Sequence, residues 1–216
     1  MRPRSSSSSR RRDRGFTLIE LGVVLVVIGL LLTMVVKGTG LLDSAKSTSI
    51  IATIKDLTTA SRQFKERYRY WPGDLPNAGV SIPNLPAACN ISTSTASIGD
   101  GQINTGAEIS CAIEELFQAG LIKADFEPAT GMHAVTHESG TFRIIAANVS
   151  NIPNFQPGTN VIEITNLRCA SAVAIDQKID DNEIASTSAG RAKASVASCT
   201  SGGANDPVPF YAAAMN

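Results

Sequence analysis

Aromatic residues make up 5% of the 216-residue chain, histidine occurs twice and cysteine four times. These shortages exclude several chemistries. The cysteines show no C-x-x-C pair, so a zinc site of paired thiolates is not expected; an exported chain using disulfides in an oxidising compartment is. His133 and His137 are four residues apart, a spacing that would let both face one metal on a helix. Gly131, Val135 and Thr136 oppose a helix there, and H-E-x-x-H is absent, so both read as loop or surface histidines. No serine sits in a G-x-S-x-G elbow, and no Cys–His pair suggests a nucleophile. Gly38-Thr39-Gly40 does not make a phosphate loop. Without a catalytic constellation the chain reads as a non-enzyme. No internal repeat is visible.

Net charge is also missing, since nineteen Lys+Arg balance nineteen Asp+Glu. The balance hides an asymmetry. Six of the basic side chains (Arg2, Arg4, Arg10, Arg11, Arg12 and Arg14) and one acid, Asp13, lie in residues 1–15, which leaves residues 16–216 at a net −5. An acidic body does not call for nucleic acid as a partner. Hydrophobic content of 43% supports a packed core and excludes a disordered chain.

Much of that content is concentrated between Phe16 and Val36, FTLIELGVVLVVIGLLLTMVV, where Glu20 is the one charge. As a helix this run would span roughly 30 Å, the hydrocarbon thickness of a bilayer. It is longer than the apolar core of a secretory signal, and no A-x-A-like cleavage site follows it. The six arginines before it orient residues 1–15 to the cytoplasm and the remainder outward. A carboxylate in such a span costs about 2.5–3.5 kcal/mol on insertion scales, so Glu20 calls for a role. Either it snorkels to the interface or it meets a cation. If the chain is cut after Gly15, the new amine of Phe16 in one subunit can meet Glu20 of another and set their stagger in an apolar bundle.

Arg14-Gly15-Phe16-Thr17-Leu18-Ile19-Glu20-Leu21 closely resembles the prepilin processing motif of type IV pilins and type II secretion pseudopilins. The resemblance implies a prepilin peptidase that cuts between Gly15 and Phe16 and methylates the new N-terminus. It also gives Glu20 and Phe16 an assembly role, with related pilin subunits and an inner-membrane assembly platform as partners. The helix-breaking proline that many type IV pilins carry in this region is absent here.

Beyond the span, Ile50, Ile54, Leu57, Ser61, Phe64 and Tyr68 recur every three or four residues, so the helix continues as an amphipathic spine to about Tyr68. Such a helix would run roughly 80 Å. Pro72 and Pro76 end it. Residues 71–106, rich in Pro, Gly, Asn, Ser and Thr, read as an extended surface loop containing Cys89. Residues 107–122 read as a short amphipathic helix with Ile109, Ile113, Leu116, Phe117 and Leu121 on one face. Glu108, Glu114 and Glu115 are assigned to its start and solvent side. Residues 141–147 and 160–165 are β-branched strands, 168–179 a second short helix, and 190–197 a last strand before a polar tail. YWPGDLPNA, GDGQI with EELFQAGLI, and residues 175–194 also resemble a subset of bacterial pilin-like proteins.

The expected fold is α+β, a long N-terminal spine helix packed against a small antiparallel sheet with short helices. Its parts are a cleaved leader 1–15, a transmembrane or filament-core helix 16–36, an amphipathic continuation 37–70 and an exported head 71–216. Four cysteines allow three pairings; Cys89–Cys111 and Cys169–Cys199 close the modest loops and are preferred, each adding roughly 2–4 kcal/mol. Asp176, Asp180 and Asp181 lead a cluster of oxygen ligands that suits a solvated acidic loop or, as in some pseudopilins, calcium; no other cofactor is expected. The 65–71 run of charges and aromatics suits a helix end snorkelling its Arg stems better than a clamp for single-stranded DNA. The leading expectation is a subunit of a type IV pilus-like or secretion pseudopilus filament, stored in the inner membrane with its head periplasmic. A scarce tip subunit, or an anchored periplasmic module for adhesion or ligand binding, is the alternative.

Overall fold

The computed structural model describes residues 17–93, 97–138, 140–149, 155, 158–179, 192–194, 207–212 and 215; over 34–43, 192–194 and 207–212 it is described as backbone. The chain divides into two units, Met1–Leu42 and Asp43–Asn216. The elements in order are α1 (Leu18–Tyr68), α2 (Ala78–Ser81), a 3-10 turn (Ala87–Cys89), α3 (Gly106–Gln118), β1 (Asp125–Glu127), β2 (Met132–His137), β3 (Gly140–Ala146), β4 (Asn160–Arg168), α4 (Cys169–Ile179), β5 (Ala192–Ala194) and β6 (Pro207–Ala212).

The apolar stripe of α1 behaves as its spacing demands. Ile50, Ile54, Leu57 and Phe64 are buried, and Ser61 is accommodated among them by donating to the Leu57 carbonyl at 2.7 Å. They share one core with Ile109, Ile113 and Leu116 of α3 and with Ile144, Ile145, Ile162 and Ile164 of the sheet. The helix ends at Arg69, whose φ of 70° takes the chain out of the helical region. Trp71 is buried at the turn, with the Lys65 ammonium 4.0 Å from its ring centre. The charged and aromatic run thus packs at a helix end.

The sheet has the order β1-β2-β3-β4-β6-β5, every pairing antiparallel. The α+β class is therefore as expected. Residues Asn160–Ile164 of β4 are buried without alternation, the mark of a strand covered on both faces. Three strands, β1, β2 and β6, are additional to those expected. β2 covers both histidines, and the tail expected to be polar contains β6, seated between β4 and β5. Pro209 in that strand falls where the β4–β6 register shifts between Ile164 and Leu167, next to Asn166 with φ 52°. A residue with no N–H is tolerated at such a break in the ladder.

The 71–106 segment is not a solvated loop. Leu75, Ala78, Ile82, Cys89 and Ile103 are buried; the 3-10 turn packs on α3, and α2 packs on the 3-10 turn. Cys89 and Cys111 form a disulfide across that junction, with Cα atoms 5.3 Å apart. The solvent-side assignment of Glu108, Glu114 and Glu115 is also corrected: all three are buried, each accepting hydrogen bonds from backbone or side-chain donors.

Candidate functional site

The first turn of α1 carries the charge singled out by the sequence. Thr17 precedes the helix, and its Oγ1 accepts from the Glu20 amide at 3.3 Å, while Glu20 Oε2 accepts from the Thr17 amide and hydroxyl at 2.8 Å each. This is a capping box: two amides that the helix leaves without partners are satisfied by the side chains of positions three apart. The T-x-x-E spacing of Thr17 and Glu20 was its signal in the sequence, and Thr105 with Glu108 repeats it at the start of α3. Glu20 therefore sits at a helix start with its oxygens aimed back along the chain, and no described cation pairs with it. Gly15 and Phe16 lie outside the described residues.

Around Glu20 the surface is apolar. Every Leu, Ile and Val from Leu18 to Leu32 is at least 46% exposed. Leaving such a side chain in water in place of burying it costs roughly 1.5–3 kcal/mol. No helix among the described residues is long and apolar enough to cross a membrane; the 16–36 run itself extends past the described side chains at both ends.

The other candidate residues are spread over the Asp43–Asn216 unit. Cys169 opens α4 and is disulfide-bonded, while Cys199 lies outside the described residues. Asp176 is buried on α4, whereas Asp180 and Asp181 lie outside the described residues. No group of three or more His, Cys, Asp or Glu side chains able to hold a metal occurs among the described residues. The two histidines are structural: His133 Nδ1 lies 2.9 Å from Glu114 Oε2 and its ring stacks on Phe117 at 3.7 Å, and His137 Nε2 lies 2.8 Å from the Thr165 carbonyl. Burial acts on the Glu114 carboxyl to raise its pKa. The hydrogen bonds from Gln118 and His133 more than offset it and bring the pKa below the usual value.

A groove of about 380 Å³ lies between Lys46, Ile50, His137, Phe142, Leu167 and Arg168. Glu138 crosses it, 2.8 Å from the Lys46 ammonium and 3.9 Å from the Arg168 guanidinium. The Lys46 hydrogen bond holds the Glu138 carboxyl below its usual pKa. All three groups are about half exposed, so the network is a solvated one of small energy.

A sequence reading also missed a group of three buried acids. Asp74 accepts from the Gly99 amide, and from the Gly101 amide at 2.9 Å; Glu115 accepts from Gly73 at 2.7 Å; Glu108 accepts from Asn104 and Thr105 at 2.8 Å each. Burial, offset in part by those two bonds and reinforced by Asp100 and Glu108, pushes Asp74 up to about 6. Burial pushes Glu115 up to about 8 against the single Gly73 bond, with Asp74 and Glu108 adding to the rise. Only their glycine-flanked partners, Gly73, Gly99 and Gly101, were a signal, and an ambiguous one.

Comparison with curated proteins and with solved structures finds no match. Among protein families, the prokaryotic N-terminal methylation motif matches residues 10–36, the stretch that holds Glu20, its capping threonine and the exposed apolar helix. The chain thus carries the N-terminal methylation motif that is the hallmark of type IV pilins and pseudopilins.

Proposed function

We propose that this chain is a structural subunit of a type IV pilus-like or type II secretion pseudopilus filament. In this reading residues 1–15 are a cytoplasmic leader, residues 16–36 anchor the precursor in the inner membrane, and the Asp43–Asn216 unit is the exported head. A prepilin peptidase cuts after Gly15 and methylates Phe16; the assembly platform then draws the helix out of lipid into a bundle of like helices. The observation that carries the reading is the methylation motif at residues 10–36, on a helix start whose described Leu, Ile and Val side chains, Leu18 to Leu32, are exposed. A surface of that kind needs lipid or other apolar helices around it. Exchange of one for the other changes its burial little, which makes extraction energetically feasible.

Intact-mass and N-terminal peptide mass spectrometry of the protein from membranes and from sheared surface material tests this. The expected result is a chain beginning at N-methylated Phe16 in the sheared fraction. A chain retaining residues 1–15, confined to membranes of cells with an active peptidase, would overturn it.

A further inference from the structure

Asp74, Glu108 and Glu115 are each fully buried, and among the described residues no Lys, Arg or His lies within ion-pair distance of any of them. Together they accept five main-chain N–H groups of the 73–105 stretch, from Gly73, Gly99, Gly101, Asn104 and Thr105. Glu108 and Glu115 are two turns apart on α3, so both face the same way. The chain presses on the helix between them: a Cβ on Gly73, whose φ is 89°, would stand 2.3 Å from the Glu108 carbonyl oxygen. Two buried oxygens are left over, Glu108 Oε1 and Glu115 Oε1, neither with a hydrogen-bond partner. An orphaned buried carboxylate oxygen is expensive, whereas a carboxyl O–H there would be a donor in place of a second uncompensated charge.

We propose that these acids form a proton-operated latch, with Glu115 fastening the 71–105 segment to α3 and Asp74 closing that segment on itself, which slackens as the medium becomes alkaline. Glu115 holds the proton on Oε1 while Oε2 keeps its bond to Gly73. The proposal does not depend on the filament reading. The sign follows from linkage. Glu115 and Asp74 are raised in the folded chain, so their contribution is complete below their usual values near 4.5 and 3.8. It is lost as pH rises toward about 8 and about 6 respectively.

The surrounding titratable groups leave the acids uncompensated. Asp100 faces Asp74 as another acid. From β2, His133 is engaged by Glu114; from β3, Arg143 pairs with Glu163 at 3.2 Å. The 3-10 turn offers Cys89, held in the disulfide, and Lys65 lies over Trp71. Because that disulfide tethers the segment, slackening is confined to its two acid-bonded stretches, around Gly73 and around Gly99–Gly101.

The test is thermal unfolding of the full-length chain in detergent micelles from pH 5 to pH 9, with Glu115→Gln alongside. Glutamine keeps an acceptor for Gly73 and a donor where the proton sat, and it does not titrate. The wild type is expected to lose more than about 4 °C in Tm relative to this variant across pH 6–9, and to match it at pH 5. Should the variant fail to fold, carboxyl NMR of wild-type Glu115 decides: titration near neutral or above supports the latch, and titration below pH 5 overturns it. Equal pH slopes for the two proteins would overturn it too. So would millimolar Ca²⁺ restoring wild-type Tm at pH 8 without affecting the variant, since the site would then hold a metal and not a proton.

Discussion

Glu20 meets its own helix before it meets any partner. Its carboxylate closes a capping box on Thr17, supplying an acceptor for an amide that the helix start leaves without a partner. Cap and charge are separable, because glutamine serves equally well at that position of a capping box. Under the filament reading, Glu20→Ala and Glu20→Gln should both be cut after Gly15, and neither should enter filaments, since both lack the charge that meets the Phe16 amine. Processing is read from the N-terminal mass, and incorporation from the sheared fraction. Normal incorporation of the glutamine variant would show that capping, and not charge pairing, is what assembly requires. The sequence marked Glu20 as costly in an apolar run. The local partner of Glu20 is signalled by the T-x-x-E spacing alone, because a cap and an intermolecular pair draw on the same carboxylate.

At the scale of elements, what could be read in advance depended on how local the cause was. The α1 stripe and the apolar face of α3 follow from spacing within one helix, and Ile50, Ile54, Leu57, Ile109 and Leu116 are buried accordingly. Glu108 and Glu115 follow from amides that lie outside the helix, so a rule that sends charge to solvent misplaced them. β2 escaped because its polar histidines hide the strand period, and β6 because its prolines look disqualifying until the register break beside Asn166 is known. Two changes test the junctions. A Cβ at Gly140 would stand 2.1 Å from the Thr165 carbonyl oxygen, on backbone of the neighbouring strand, so Gly140→Ala should cost about 1–3 kcal/mol in denaturant unfolding. Replacing Cys89 and Cys111 together by serine should cost about 2–4 kcal/mol, by freeing the segment it closes in the unfolded chain. An unchanged unfolding midpoint in either variant would count against the corresponding contact.

The whole molecule combines two units that suit different surroundings. The described apolar side chains of the Met1–Leu42 unit, from Leu18 to Leu32, are exposed, whereas the core described in the Asp43–Asn216 unit starts at Ile50 and includes residues of α3, α4 and the sheet. The sequence set residues 37–70 apart as an amphipathic continuation of the spine beside a head at 71–216, and the stripe read there enters the core through Ile50, Ile54, Leu57 and Phe64. A chain starting at Asp43 keeps that stripe, and a chain starting at residue 71 loses it. Removal of residues 1–42 should therefore give a protein that stays in solution without detergent and unfolds in one cooperative transition. Removal of residues 1–70 should leave the apolar surfaces of α3 and the sheet uncovered and give an aggregating or partly folded product. Near-UV circular dichroism and sedimentation of the two truncations separate these outcomes. A well-folded, monomeric 71–216 chain would mean that the sheet and α3 suffice, and that the α1 stripe is packing added to a core already closed.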